Sequence, residues 1–121
     1  MATNPVKYLS KNLINKATPL DVWLQGTIEQ TVGNDVIILS DNCGKVKITK
    51  CETADGVIDK NTLCKGTYCC IIGVAVKTTG LPEIHATKYI DLSKHSAMKD
   101  AWETEVKEAQ LLLQGKILPM L

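Results

Sequence analysis

Thr67-Tyr68-Cys69-Cys70-Ile71-Ile72-Gly73-Val74-Ala75-Val76 is a continuous apolar run with one glycine inside it. A strand wet on one side alternates polar and apolar residues, so an unbroken run of this length belongs to a strand covered on both faces. Gly73 marks a bulge or sharp bend within it, the device by which a sheet curls round to close on itself.

Shorter strands lie on either side. Upstream, Val22 to Gln30 alternates, with Val22, Leu24 and Ile28 on one face and Gln25, Thr27 and Glu29 on the other. Gly33-Asn34 turns the chain into a second strand, Asp35 to Asp41. Asn42-Cys43-Gly44 turns it again into a third, Lys45 to Lys50, with Val46 and Ile48 inward. Cys51 to Gly66 shows neither period and reads as a loop with at most one helical turn. Thr78-Thr79-Gly80 leads from the apolar run to a fifth strand, Glu83 to Ile90. Trp23, next to Val22 and Leu24, is expected to close the barrel rather than to stack on a ligand. The fold class is therefore mainly β: a five-stranded OB-fold barrel with a C-terminal α-helix.

Four segments follow from this reading. Residues 1–19 form a flexible N-terminal arm, polar and bracketed by Pro5 and Pro19, in which Val6, Leu9, Leu13 and Ile14 permit one short helix. Lys7, Lys11 and Lys16 can reach phosphate, but a solvated tail is the expected role. Residues 20–95 are the barrel, 96–114 a docking helix and 115–121 an apolar tail.

At helical spacing Met98, Ala101, Trp102, Val106, Ala109, Leu112 and Leu113 fall along one stripe. Lys99, Asp100, Glu103, Lys107, Gln110 and Gln114 lie opposite. Ser93 or Ser96 can cap the start, and Gly115 suits the end. Glu105 interrupts the stripe. The helix either packs on its own barrel with Glu105 at the rim, or packs on a partner with Glu105 meeting a base across the contact.

Composition narrows the function. The net charge is +1, so no strong field favours nucleic acid, membrane or acidic ligands. All 14 basic residues are Lys. Without Arg the chain lacks the side chain best suited to bidentate phosphate and guanine recognition. The second and third strands offer Lys45, Lys47 and Lys50 but no aromatic for base stacking. Five cysteines, an odd number, and the lack of a signal-like segment point to a reducing compartment. No run approaches the ~20 apolar residues of a membrane span.

Catalysis and metal binding find little support. His85 sits on a strand and His95 in the connection to the helix, without a partner motif. Asp91, Ser93 and His95 are crowded in sequence, but triads are made by geometry. Cys43, Cys51 and Cys64 are too far apart for zinc, and adjacent Cys69 and Cys70 point to opposite faces of a strand. No enzyme activity, metal or cofactor is expected.

Four blocks, in order, resemble one family. Val22-Trp23-Leu24-Gln25-Gly26 resembles its opening strand, and Gly66-Thr67-Tyr68 with Gly73-Val74-Ala75-Val76 its fourth. Ala86-Thr87-Lys88 with Asp91-Leu92-Ser93 and Trp102-Glu103-Thr104-Glu105-Val106 resemble its last strand and helix. The family is that of the second, smaller subunit of the RecQ-mediated genome instability complex, and the blocks span about Leu20 to Ala109. The resemblance implies an OB-fold that docks, helix included, on the C-terminal OB domain of the larger subunit. It implies that this heterodimer works in the nucleus with topoisomerase III and a Bloom-type RecQ helicase to dissolve double Holliday junctions. It also implies weak or no direct DNA binding. The family's interface Lys falls on Lys88, its helix Trp on Trp102, and Glu105 matches the second Glu of that block. The expected partner-binding residues are therefore Lys88, Met98, Trp102, Glu105, Val106, Ala109 and Leu113. The arm, residues 30–65 and the end beyond Gln110 carry no block of the family. The competing reading is a single-stranded-nucleic-acid-binding OB module of a replication or telomere complex.

Overall fold

The structure, a computed structural model, describes residues 5–59 and 61–113. Its strands are β1 (Val6–Lys7), β2 (Leu20–Val32), β3 (Val36–Asp41), β4 (Gly44–Thr49), β5 (Tyr68–Lys77) and β6 (Glu83–Asp91), followed by helix α1 (Ser96–Leu113). The sheet order is β1-β2-β3-β4-β6-β5, and a further β2–β5 pairing closes the barrel. β4 and β6 run parallel while the other barrel pairs are antiparallel, which is the OB connectivity. The expected fold class holds, with β1 as an extra strand. The expected helix end at Gln114 and the apolar tail 115–121 lie outside the described residues.

β2 serves two neighbours. Its first half pairs with β5, its second half with β3, and an irregularity between Ile28 and Gln30 lets the strand bend from one to the other. Val22, Leu24, Ile28, Ile37, Val46, Ile48, Ile71 and Ile84 fill the interior. Fully burying such side chains contributes about 1.5–3 kcal/mol each, so this one cluster is the main source of stability. Among the described residues, the stretch from Cys51 to Gly66 is loop apart from one 3-10 turn, Cys51–Thr53. Asp55 in this loop exchanges backbone hydrogen bonds with Thr87 and Tyr89, covering an edge of β6 that β4 leaves free.

Two expectations need correction. The segment read as a solvated arm carries buried side chains from Tyr8 to Ser10 and at Leu13. Tyr8 and Leu13 enter the barrel core, and β1 pairs in parallel with Val22 and Trp23 of β2. A 3-10 turn, Ser10–Leu13, follows. The Asp41 carboxylate holds it by accepting from the Ser10 amide and hydroxyl at 2.7 and 2.6 Å. Polar composition concealed a second alternation, with Val6 and Tyr8 toward the barrel and Lys7 and Leu9 away from it. Trp23 is the other correction. Val22 and Leu24 point inward, so Trp23 points outward by strand alternation and lies under α1 with Leu9, Trp102 and Val106.

Candidate functional site

Trp23 stands in a row of outward side chains that crosses four strands. Lys7 of β1 pairs with Trp23 of β2, Trp23 with Ile72 of β5, and Ile72 with Lys88 of β6. Neighbours paired in this way share a face. The Lys7 ammonium lies 4.9 Å from the Trp23 ring centroid and 6.0 Å from that of Trp102. Cys70, buried in the adjoining row, has its thiol pushed up to about 12, mainly by burial, although the Trp23 indole, Lys88 and Lys7 pull it down.

α1 crosses this face along β1 and β2. Trp102 and Val106 are buried against Leu9, with Trp23 and Cys43 packed beside them. Glu105, next to them on the helix, forms an ion pair with Lys7 at 3.9 Å. Gln110 donates from Nε2 to the Lys7 carbonyl at 2.8 Å. At the helix start, Lys99 lies 5.4 Å from the ring centroid of Tyr68, whose hydroxyl donates to buried Gln25 at 2.9 Å. The turn into the helix is braced by Asp91, which accepts from the Ser93 amide at 2.8 Å. The Ser93 hydroxyl and amide hold that carboxyl below the usual carboxylate range.

The stripe read from the sequence thus divides. Trp102 and Val106 face the chain's own barrel, and the base that Glu105 meets is Lys7 of the same chain. Met98, Leu112 and Leu113 remain exposed, at 39%, 47% and 62%. Ala109, Leu112 and Leu113 line an open groove of about 390 Å³ with Pro5, Val6 and Lys7. Lys88 is exposed and makes no ion pair among the described residues. Trp102, Glu105 and Val106 therefore gather around Lys7 and Trp23, with Lys88 two strands away from Trp23. Met98 stands apart on the first turn. Lys7, Leu9, Trp23 and Ile72 are the members of this arrangement that sequence reading missed. The alternation through Val6-Lys7-Tyr8-Leu9 was the available signal.

The groups considered for chemistry are occupied otherwise. His85 lies 3.5 Å from Glu83 on the outer face of β6. Asp91 spends its carboxylate on the Ser93 turn rather than on His95. Burial raises the thiols of Cys51 and Cys69 as well as Cys70, so all three are protonated at neutral pH and poor nucleophiles. Among the described residues, no group of three or more His, Cys, Asp or Glu is placed to hold a metal ion. No described helix is long and apolar enough to cross a membrane.

The fold has many relatives among solved structures. The telomere capping protein Ten1 from Saccharomyces pombe matches with a TM-score of 0.68 at 9% identity, over 88% of this chain and 98% of that one. A chain of the S. pombe Stn1–Ten1 complex matches at 0.69 and 12% identity, over 91% and 95%. Replication protein A of U. maydis, bound to single-stranded DNA, matches at 0.64 and 14% identity, over 93% and 97%. At these identities the likeness is one of fold. No curated protein matches the chain in sequence. A family model does, over residues 4–110, and so takes in the N-terminal segment and residues 30–65 that carried no recognisable block. The chain belongs to the RecQ-mediated genome instability protein 2 family.

Proposed function

We propose that the chain is a non-catalytic OB-fold subunit that binds the C-terminal OB domain of the larger RecQ-mediated genome instability subunit. Through that heterodimer it supports double Holliday junction dissolution by topoisomerase III and a Bloom-type RecQ helicase in the nucleus. The observation that carries this reading is the exposed side of a helix already docked on its barrel. With Trp102 and Val106 buried, Met98, Leu112 and Leu113 are still open to water. Burying a large aliphatic side chain contributes about 1.5–3 kcal/mol, against an association cost of about 4–15 kcal/mol. Three half-exposed residues fall short of a stable complex, so a partner must also take up sheet surface. Lys88, without an ion pair among the described residues and bordered by Ile72, is the nearest provision for it on the outer row. In this reading Met98, Ala109, Leu113 and Lys88 meet the partner, while Trp102, Val106 and Glu105 set the helix that presents them. The Stn1–Ten1 structure is a precedent for this fold within a protein complex.

Direct single-strand binding is the second reading, favoured by the likeness to replication protein A bound to single-stranded DNA. Against it, β3 and β4 hold no aromatic residue, and Lys45 is engaged by Glu29 at 2.6 Å. Titration of the isolated chain into labelled oligothymidine, followed by anisotropy, separates the two. Submicromolar, salt-sensitive binding would overturn the adaptor reading. Coexpression with the larger subunit's C-terminal domain is expected to raise soluble yield. Lys88→Glu should weaken that complex by about tenfold or more in calorimetry while leaving the urea midpoint of the free chain unchanged. A wild-type affinity for Lys88→Glu removes Lys88 from the contact.

A further inference from the structure

Helix α1 reaches the rest of the chain through few polar ties. Past its first turn, the ion pair and the side-chain hydrogen bond that tie it to the rest of the described residues end on one residue. Glu105 pairs with the Lys7 ammonium at 3.9 Å, and Gln110 donates to the Lys7 carbonyl at 2.8 Å. The same ammonium lies over Trp23 and within 6.0 Å of Trp102, the two indoles at the centre of the helix contact. Two positions further on, Leu9 is buried between the helix and the barrel with Trp102 and Val106.

The segment that carries Lys7 is itself fastened at its other end. Leu13 is fully buried in the barrel core, and Asp41 holds Ser10 through both its amide and its hydroxyl. Residues 5–13 thus run from an anchor in the barrel to a contact on the helix, with β1 contributing only a two-residue pairing to β2. A strand that short adds little to the sheet. Its position matters more than its ladder, because it borders the groove that Ala109, Leu112 and Leu113 line.

We infer that residues 5–13 act as a strap that fixes the pose of α1, with Lys7 as its positioning residue. Partner docking then depends on Lys7 through the helix it holds. That last consequence rests on the partner reading above; the control of helix pose does not. A partly exposed ion pair and a cation over an indole are each modest, so their joint loss reads as about a tenfold change. Replacing the cation by an acid adds repulsion from Glu105 and moves the effect in the same direction.

Hydrogen–deuterium exchange on the full chain tests the strap without any partner, using Lys7→Met, Lys7→Glu, Glu105→Lys and the charge-swapped pair Lys7→Glu/Glu105→Lys. Amides from Trp102 to Leu111 should exchange about tenfold faster in Lys7→Glu, with β5 and β6 protected as before. The swapped pair should recover much of the protection, which general damage to the fold would not allow. Unchanged exchange in α1, or a swapped pair no better than Lys7→Glu alone, overturns the strap. If Lys7→Glu does not fold, Lys7→Met decides by the same readout. Calorimetry with the larger subunit's C-terminal domain then tests the consequence. Faster exchange should go with about tenfold weaker binding, restored in the swapped pair. Wild-type affinity in a variant with a loosened helix overturns the link from pose to docking. A wild-type chain that ignores the domain refutes the partner reading and leaves the exchange result standing.

Discussion

Trp102→Ala is expected to cost about 3–5 kcal/mol of stability, the range for removing a buried Trp, and to abolish the proposed complex with the larger subunit. Trp102 is 4% exposed and, with Val106 and Leu9, makes up the buried part of a cluster separate from the barrel core. Its removal leaves Val106 as the one fully buried side chain of the helix. Trp102→Phe separates packing from polarity. The indole N–H of Trp102 is buried without a hydrogen-bond acceptor among the described residues, so Phe forfeits no bond, loses only the transfer and cavity terms of the smaller ring, and should cost clearly less than Ala. Urea denaturation followed by the fluorescence of Trp23 measures both, since Trp23 lies under the helix and reports its departure. A Trp102→Ala chain with wild-type stability would mean that the helix is not held by this cluster.

The same residue shows how far the sequence could be read. Periodicity identified the stripe and both ends of the barrel pattern, because burial on one face leaves a period of two in strands and of 3.6 in helices. It could not say what covers the stripe. That depends on Trp23, which carries the alternation of β2 to its outer face, and on Lys7 and Leu9 in a segment whose composition is polar. A buried aromatic flanked by core residues reads alike whether it points into a barrel or under a helix. The candidate contact set was legible to a similar degree. Met98, Ala109 and Leu113 were found by spacing. The division between residues that hold the helix and residues left exposed on it appeared only once the barrel occupied one side. Lys88 was named by resemblance alone, since strict alternation from Ile84 and Ala86 would have turned it inward.

Gly73→Val is expected to destroy the closed barrel, with a loss above about 4 kcal/mol, the range reserved for overpacked or strained sites, and little soluble protein. The His85 carbonyl oxygen and the Ala86 backbone approach Gly73 so closely that any Cβ would overlap them. This contact belongs to the irregularity that places Lys88. Ile72 pairs with Lys88, but Gly73 pairs with Ala86, so Thr87 is left over, and its hydroxyl donates to the Ile72 carbonyl at 3.0 Å. The extra residue reverses the alternation of β6. Ile84 and Ala86 point into the core, and so does Tyr89 beyond the bulge, which sends Lys88 and Ile90 outward. A side chain at position 73 must push β6 away from β5, and those strands, with β2, close the barrel. Gly73→Ala meets the same oxygen with a smaller group and should fall between the wild type and Val. Denaturation midpoints in the order wild type, Ala, Val, together with loss of partner binding in any folded Gly73→Ala chain, would tie barrel closure and the outward Lys88 to one backbone contact. A Gly73→Val chain with the wild-type midpoint would show that β5 and β6 do not need that approach, and the outward setting of Lys88 would then require another cause.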